Sequence, residues 1–468
     1  MSGPGSRTPS LESRPSEADR ACGLEFFLSL SPGVGGRLRG EVEDFQVDEV
    51  SRYPLPDASG RFVVMRVRAL DVEQNTLIAR MARALGVPPG SIGYAGTKDR
   101  RAITTQLFSV PWPREELPSL ELSGVTLLDA YRARDPVTLG ALYGNRFRLR
   151  LRDLRGEPAA LVARVQAVQG ELRAAGGFPN LFGPQRFGEV RPMTHWVGKA
   201  LVQGSPERAV ETYLGWLPEG APAPSEEYRS AYLRTHDLPQ ALRSFPRSFT
   251  FERILLDKLE RGHDPARAFQ ALPRGVRTLF VHAYQSFLFN RWLSRRFRAG
   301  LPLDRPVPGD RVQRLAADGL DAGDPTFPVT MDNLPEMERF VSSGRARVAG
   351  PLVGTETPGP SGAPGELLEH LLEEEGITRA DFRFPRSPEL RSRGAFRALL
   401  APLPLSLFPT GRPQTEPGPE GTQTLEMAFS LEKGMYATVL LREFQKPGGD
   451  GPDRRGSNGM LKSPVGPA

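Results

Sequence analysis

The chain has 468 residues and a mass of 51.4 kDa, with 61 basic and 55 acidic residues and a formal net charge of +6. Because a domain typically has roughly 100–200 residues, we expect more than one domain. A basic chain suits a polyanion partner such as RNA but also suits an ordinary arginine-rich enzyme, so the charge alone does not select a function.

Cysteine usage and hydropathy restrict the compartment. The single cysteine, Cys22, excludes an internal disulfide and a cysteine-based zinc cluster. No stretch approaches the roughly 18 apolar residues of a membrane span, and residues 1–20 lack the apolar run of a signal peptide. We therefore expect a soluble, cytoplasmic protein that contacts no membrane.

Four stretches are rich in proline, glycine and serine. Residues 1–22 and 447–468 are predicted to be disordered tails, because neither can bury enough apolar surface to become ordered. Residues 355–365 and 408–424 are predicted to be surface loops.

The first half of the chain predicts strands. Residues 39–50 and 62–70 alternate apolar and polar side chains, and the segments 91–95 and 102–110 have the same character. Residues 72–86 break this pattern with apolar side chains on one helical face, and the helix is expected to end at glycine 86.

The clearest predicted strand is GNRFRLRLRDL, residues 144–154. Asn145 and Phe147 share one face with two leucines, whereas the other face carries four arginines, at positions 146, 148, 150 and 152. The arginines could face RNA phosphates, acidic side chains of a packing helix, or solvent.

The pattern changes near residue 178. Apolar spacing predicts a mostly helical segment over 178–400, and two strands are expected afterwards, in TLEMAFSLEKG (424–434) and MYATVLLREF (435–444). An isolated hairpin needs a sheet to join, so we expect a strand-rich unit that is interrupted by a helical insertion.

The loop TKDRR (97–101) brings opposite charges together between two predicted strands. A loop can place Lys98 and Asp99 in one cleft, whereas neighbours in a strand point to opposite faces. The adjacent cations favour the ionised form of Asp99, which would then act as a nucleophile or a base. The alternative is a surface hairpin whose charges merely pair.

The surrounding sequence GYAGTKDRRAITTQ (93–106) resembles the signature of the TruD family of pseudouridine synthases, aromatic-Ala-Gly-x-Lys-Asp-basic-x-Ala-x-Thr-x-Gln. Four further stretches resemble the family in order along the chain: EDFQVDE (43–49), GNRFRLRL (144–151), NLFGPQRFG (180–188) and MYATVLLRE (435–443). The resemblance extends from about residue 38 to about residue 446.

The resemblance implies an α+β fold, in which helices flank a mixed, largely antiparallel central sheet, the pseudouridine synthase fold. It implies a catalytic domain made of residues 23–177 and 401–446, and a mainly helical inserted TRUD domain over residues 178–400.

The resemblance also implies the isomerisation of uridine to pseudouridine in RNA, with no metal and no organic cofactor. Uridine 13 in the D-arm of tRNA is the first expectation. The alternatives are other tRNA sites, mRNA, or an RNA-binding module of the same fold without turnover. We expect the protein to act as a monomer.

By the same resemblance, Asp99 is the catalytic group. Whether it attacks the sugar, attacks the ring or abstracts a ribose proton stays open. The uridine must be flipped out of the RNA stack, and Phe147 is expected to stack on it, with Asn145 on the same strand face. A plain core position is the alternative for Phe147.

Four further side chains have two open roles each. Lys98 would pair with Asp99 or a phosphate, or would simply balance charge, and Glu49 would orient Lys98 or be solvated. Gln106 would hold a uracil edge or tie down the Asp99 loop. Arg186 would contact a phosphate or pair with an acidic core neighbour.

Overall fold

The structure is a computed structural model that describes residues 14–51, 54–98, 100–188, 191–217, 223–315 and 321–446. The predicted tail segments 1–13 and 447–468 lie outside these residues, as does Asp99.

The strands of the described residues form three sheets. In chain order they are β1 (Arg37–Leu38), β2 (Phe45–Val50), β3 (Phe62–Leu70), β4 (Gly93–Tyr94), β5 (Ile103–Pro111), β6 (Glu121–Leu122), β7 (Val125–Ala133), β8 (Gly144–Leu154), β9 (Phe178–Pro179), β10 (Arg311–Leu315), β11 (Asp321–Pro328), β12 (Ala346–Leu352), β13 (Ala395–Ala398), β14 (Leu400–Ala401), β15 (Thr415–Pro417) and β16 (Gln423–Glu432).

The α-helices of the described residues are α1 (Glu17–Ala21), α2 (Gln74–Leu85), α3 (Pro158–Ala174), α4 (Thr194–Val202), α5 (Pro206–Gly215), α6 (Ala223–Thr235), α7 (Leu238–Ser244), α8 (Thr250–Glu260), α9 (Pro265–Gln270), α10 (Arg274–Arg298), α11 (Leu334–Ser342), α12 (Gly362–Glu375) and α13 (Ala437–Gln445). Short 3-10 helices span Val42–Asp44, Pro89–Ser91, Pro184–Arg186, Arg379–Arg383, Pro388–Leu390 and Pro419–Gly421.

The largest sheet has the strand order β15-β16-β8-β2-β5-β3-β7-β6, with β1 on β8 and β4 on β5. Its pairs are antiparallel except β2 with β5, which run parallel. This arrangement confirms the predicted fold class, a mixed and largely antiparallel sheet flanked by helices. The division into residues 23–177, 178–400 and 401–446 stays a prediction.

Strands with clean alternation form where the sequence predicts them. In β8, Leu149 and Leu151 are fully buried, and the arginine between them, Arg150, lies on the opposite face. In β16, Leu425 and Met427 are equally buried and pair across the sheet with β8. Burial of one face therefore fixes the register of both strands.

Helix α2 covers the β3–β5 side of the sheet. Its buried face, which includes Leu77 and Met81, packs in one apolar cluster with Val67 and Phe108. The helix ends at Gly86 in the left-handed conformation, at a φ of 69°, as predicted.

The expectation of a mainly helical segment over residues 178–400 is incomplete. Strands β10 to β13 form a four-stranded antiparallel sheet in the order β11-β10-β12-β13. Glycine and proline interrupt the alternation in β11 and β12, so the period-2 signal is weak there. Helix α12 also begins inside the predicted loop 355–365, at Gly362.

The second of the two C-terminal strands is absent, because MYATVLLREF forms helix α13 instead. Val439, Leu440, Leu441 and Phe444 are all buried there. A short continuous apolar run fits a buried helix as well as a buried strand, so periodicity could not decide between them. The prediction of a C-terminal hairpin was therefore wrong, although β16 does join the central sheet.

The prediction of disorder over residues 1–22 is wrong for residues 14–22. Ser16 caps α1, since its hydroxyl accepts from the Asp19 N–H and its own N–H donates to the Asp19 carboxylate. Cys22 is 1% exposed, and its carbonyl accepts a hydrogen bond from Asn290 Nδ2 on α10. This buried anchor supplies the contacts that the composition of the segment does not suggest.

Candidate active site

The loop before Asp99 is held by helix α2. The Lys98 N–H donates to Gln74 Oε1 at 2.7 Å, and Gln74 Nε2 donates to the Gly96 carbonyl at 3.2 Å. Gln74 is 6% exposed. One buried amide thus fixes two points of the loop backbone, at Gly96 and Lys98.

Lys98 pairs with Glu49 on strand β2. The distance from Lys98 Nζ to Glu49 Oε2 is 2.8 Å, and the two side chains are 6% and 1% exposed. Glu49 Oε1 also accepts a hydrogen bond from the Ser51 hydroxyl at 3.1 Å. Of the roles left open for Glu49, orienting Lys98 is therefore the one that this contact supports.

Asp99 itself lies outside the described residues. Its catalytic role stays a prediction.

Three of the predicted residues share one face of the sheet. Asn145 on β8 is the partner of Glu49 on β2, and Phe147 is the partner of Val47. Side chains of directly opposed residues project to the same face. Gln106 follows Thr105, the partner of Asp48 in the parallel β2–β5 pair, so it continues the row that contains Glu49.

Two buried polar atoms in this row have no hydrogen-bond partner among the residues that the structure describes. They are Gln106 Nε2, a donor, and Asn145 Oδ1, an acceptor. Leaving such an atom unpaired costs roughly 1–3 kcal/mol, so unpaired atoms commonly mark a ligand or a water position. Gln74 holds the described part of the loop, and both roles of Gln106 stay predictions.

Phe147 lies at the edge of the main apolar core and is 7% exposed. Its ring centroid is 6.2 Å from that of Phe45 and 5.7 Å from that of Phe429. These contacts fit the core alternative. The predicted stacking of Phe147 on a flipped uridine stays a prediction.

Arg186 ends a 3-10 turn that follows the Phe-Gly pair of residues 182–183. Its Nε donates to the Ser286 hydroxyl at 3.1 Å, and its guanidinium lies 5.9 Å from the Phe182 ring centroid. Burial lowers the pKa of Arg186. No carboxylate of the described residues lies within ion-pair distance, so the expected acidic core neighbour is not among them.

Arg186 and the loop residue Lys98 are not joined by a hydrogen bond or ion pair within the described ranges. The motif 180–188 is attached to the end of β16 by Arg397, which donates to the Asn180 and Gly434 carbonyls and lies 4.0 Å from the Phe182 ring centroid.

Sequence reasoning missed the positioning roles of Gln74 and Arg397. A signal existed for Gln74, because it shares a helical face with Leu77, Ile78 and Met81 and is the polar residue on that apolar stripe. No comparable pattern identifies Arg397, whose contacts join residues about 217 positions apart in the chain.

Three of the four arginines of β8 contact acidic side chains of a neighbouring strand or turn. Arg148 and Arg150 both pair with Glu426 on β16. Arg152 pairs with Asp44, which is fully buried. Acidic partners were one of the three alternatives, although they come from the sheet and not from a packing helix. Arg146 is exposed and has no ion pair within the described part of the chain.

Within the described ranges, no group of three or more His, Cys, Asp or Glu side chains is placed to hold a metal ion. None of the described helices combines the length and apolar character needed to cross a membrane.

Comparison with known proteins covers almost the whole chain. The sequence profile of the family described as tRNA pseudouridine synthase D (TruD) matches residues 21–444. A Thermococcus gammatolerans protein named "Probable tRNA pseudouridine synthase D" is 38% identical over 430 residues, which is 90% of this chain and 99% of the relative. A Methanococcoides burtonii protein of the same name is 34% identical over 92% of this chain and 97% of its own.

The fold agrees with these sequence relatives. A crystal structure of the Methanosarcina mazei protein, described as a tRNA pseudouridine synthase D, superposes with a TM-score of 0.76 at 34% identity, over 92% of this chain and 98% of that one. The mixed sheet is thus the fold of a pseudouridine synthase. The chain belongs to the tRNA pseudouridine synthase D (TruD) family.

Proposed function

We propose that this protein isomerises uridine to pseudouridine in tRNA, at uridine 13 of the D-arm, with Asp99 as the catalytic group. Family membership supports the reaction class. The single observation that carries the site assignment is the pair of unpaired buried atoms, Gln106 Nε2 and Asn145 Oδ1, beside the Lys98–Glu49 ion pair.

The reaction breaks the bond between ribose C1′ and uracil N1 and forms a bond between C1′ and C5 of the same uracil. C5 loses its proton and N1 gains one, so substrate and product have the same mass. No redox partner is needed. The target atoms are shielded in a stacked helix, so the uridine is flipped into the cleft before the reaction.

Asp99 acts as an anion in this proposal. In the sequence it lies between Lys98 and Arg100, and nearby positive charge favours a carboxylate over a carboxylic acid. Because Glu49 holds the Lys98 ammonium on a buried face, the cation next to Asp99 stays in place. The carboxylate is then available as a nucleophile or a base, not as a proton donor.

The unpaired atoms complement uracil. A uracil edge offers carbonyl oxygens as acceptors and N3–H as a donor, which suits an amide N–H of Gln106 and the amide oxygen of Asn145. Phe147 follows Asn145 on the same face and supplies the stacking surface, since every base has a π-face for an aromatic ring.

Arg186 binds a phosphate of the RNA in this proposal. A partly buried guanidinium without a carboxylate partner among the described residues suits another anion, and RNA phosphate fits its planar fork. We further propose that the protein acts on tRNA in the cytoplasm as a monomer and uses no metal or organic cofactor.

The direct test is to map pseudouridine in an unmodified tRNA transcript after incubation with the protein. Carbodiimide adducts that resist mild alkali mark pseudouridine and stop reverse transcription. We expect one new stop, at position 13. Reverse-transcription stops at other uridines would show that the target is not uridine 13. Binding of the tRNA without any new stop would indicate an RNA-binding module without turnover.

A further inference from the structure

A cavity lies between helices α4 and α5, outside the candidate active site. It has a volume of about 240 Å³ and is lined by Trp196, Lys199, Gln203, Arg208, Thr212 and Trp216. Sites for drug-sized molecules are usually roughly 300–1,000 Å³. The cavity is therefore suited to a smaller group, such as a single nucleobase.

The two indole rings of this cavity are held by their surroundings. Trp196 lies 4.4 Å from the ring centroid of His195 and 5.2 Å from that of Phe287. Trp216 follows α5, and its side chain packs, partly buried, against the main apolar core. Its backbone carbonyl accepts hydrogen bonds from Arg191 Nη2 at 2.7 Å and Nε at 3.1 Å. Aromatic walls that are already ordered lose little conformational entropy when a ligand stacks on them.

The charge of the cavity is positive. Arg208 is exposed and forms no ion pair with any residue that the structure describes. The lining contains a second cation, Lys199, which pairs with Glu375 at 2.9 Å, and it contains no carboxylate of its own. An aromatic surface with excess cations is typical of sites that bind single-stranded nucleic acid.

The cavity also lies close to the proposed phosphate contact. Ser286 on α10 accepts the hydrogen bond from Arg186, and the next residue, Phe287, contacts Trp196. On the other side, Phe187 follows Arg186 in the chain and contacts His195, the neighbour of Trp196. Buried aromatic side chains therefore link the segment around Arg186 to Trp196, one wall of the cavity.

We propose that this cavity binds one unpaired base of the substrate RNA, with Trp196 and Trp216 as its stacking walls and Arg208 on a neighbouring phosphate. The inference rests on the proposed function for the identity of the RNA. It adds a second extruded nucleotide to the flipped uridine, so the protein recognises a loop with two accessible bases and not a regular duplex.

The test measures the binding of an unmodified tRNA transcript by the full chain and by two variants. Trp216→Leu removes an aromatic wall, and Arg208→Ala removes the exposed cation. We expect Trp216→Leu to weaken binding about tenfold, equivalent to ~1.4 kcal/mol and within the roughly 1–3 kcal/mol of base stacking. Arg208→Ala should weaken binding several-fold at low salt and less at high salt.

Arg247→Ala is the matched control, because Arg247 is an exposed arginine of the helical region that makes no ion pair among the described residues. It should bind like the wild type. Tryptophan emission gives a second readout, because a stacked base should quench it in the wild type, and Trp216→Leu should lose that quenching.

Wild-type affinity in both Trp216→Leu and Arg208→Ala would overturn the inference. Because Arg208 is exposed, its variant remains informative if Trp216→Leu does not fold. Saturable binding of uridine monophosphate alone, with tRNA affinity unchanged in both variants, would also overturn it. If both variants weaken binding but the wild type forms no pseudouridine, the proposed function fails and the base site stands.

Discussion

Lys98 and Glu49 form an ion pair with an Nζ–Oε2 distance of 2.8 Å, and both side chains are almost completely buried. The two residues belong to different sequence motifs, 49 positions apart. The pair connects the loop that precedes Asp99 to the strand that lies opposite Asn145. Its geometry joins the proposed catalytic residue to the proposed uracil contacts.

Breaking this pair should destabilise the protein and reduce activity. Glu49→Gln leaves the Lys98 ammonium buried without a counter-charge, and removal of one partner of a buried pair typically costs about 3–5 kcal/mol. Urea denaturation and the rate of pseudouridine formation measure the two effects. Glu426→Gln is the control, because the Glu426 partners Arg148 and Arg150 are 57% and 40% exposed and such pairs contribute about 0–1 kcal/mol. Equal losses of stability and activity in Glu49→Gln and Glu426→Gln would contradict the role proposed for the Lys98–Glu49 pair.

A substitution of Gln106 distinguishes a contact with the substrate from a structural role. Gln106→Leu removes a buried donor that has no partner in the described part of the protein. The free energy of unfolding should therefore stay the same or rise by about 1 kcal/mol, while kcat/KM for tRNA falls about tenfold through the loss of one hydrogen bond to uracil.

Gln313→Leu is the matched control, since Gln313 is 4% exposed and its Oε1 atom also lacks a partner among the described residues. It lies on β10, in the smaller sheet, and should leave kcat/KM unchanged. A loss of stability in Gln106→Leu together with unchanged kcat/KM would show that Gln106 supports the fold instead.

The phosphate role of Arg186 predicts a change in the salt dependence of binding. Arg186→Met removes one cation, so the slope of log Kd against log salt concentration should decrease by about 0.7–0.9. Filter binding of a tRNA transcript at several salt concentrations measures the slope. Arg412→Met, at an exposed arginine outside the site, should keep it. Parallel slopes for Arg186→Met and the wild type would show that no phosphate contact was lost.

His195 should make the protein sensitive to acid. The side chain is fully buried, and burial lowers its pKa from 6.5 to about 3. The unfolded chain therefore takes up a proton first as the pH falls. The contribution of neutral His195 to the free energy of unfolding is complete above pH 6.5 and is lost progressively between pH 6.5 and pH 3.

His195→Phe should remove this dependence, because the ring already lies against Phe187, Trp196 and Phe287. Between pH 7 and pH 5, the free energy of unfolding of the wild type should fall by about 2 kcal/mol more than that of His195→Phe. His370→Gln, at an exposed histidine, should follow the wild type. Urea denaturation at a series of pH values makes the comparison, and parallel curves for His195→Phe would contradict it.

Much of the sheet could be predicted from the sequence because one of its faces is buried. Alternation in β3, β8 and β16 fixes which side chains face the core. The VLL run of α13 carries no such information, since an apolar run that is buried on all sides has no period. The β10–β13 sheet is similarly hidden, because glycine and proline interrupt its short strands.

For the site, parity along β8 was sufficient to place Asn145 and Phe147 on one face. The contact of Lys98 with Glu49 also requires the parallel register of β2 with β5, which is a tertiary property. The same holds for Arg186 and Ser286, which come from distant segments. Local patterns give the direction of a side chain, whereas its partner depends on how the elements pack.

The most direct test of the account concerns Asp99 and the hydrogen on uracil C5. Formation of the C1′–C5 bond releases that hydrogen, so tRNA labelled with tritium at C5 of uridine releases tritium to water on turnover. We expect the wild type to release one tritium per tRNA, and Asp99→Asn to release none while binding the tRNA with wild-type affinity. Tritium release by Asp99→Asn at the wild-type rate would contradict the account, as would free uracil produced by the wild type.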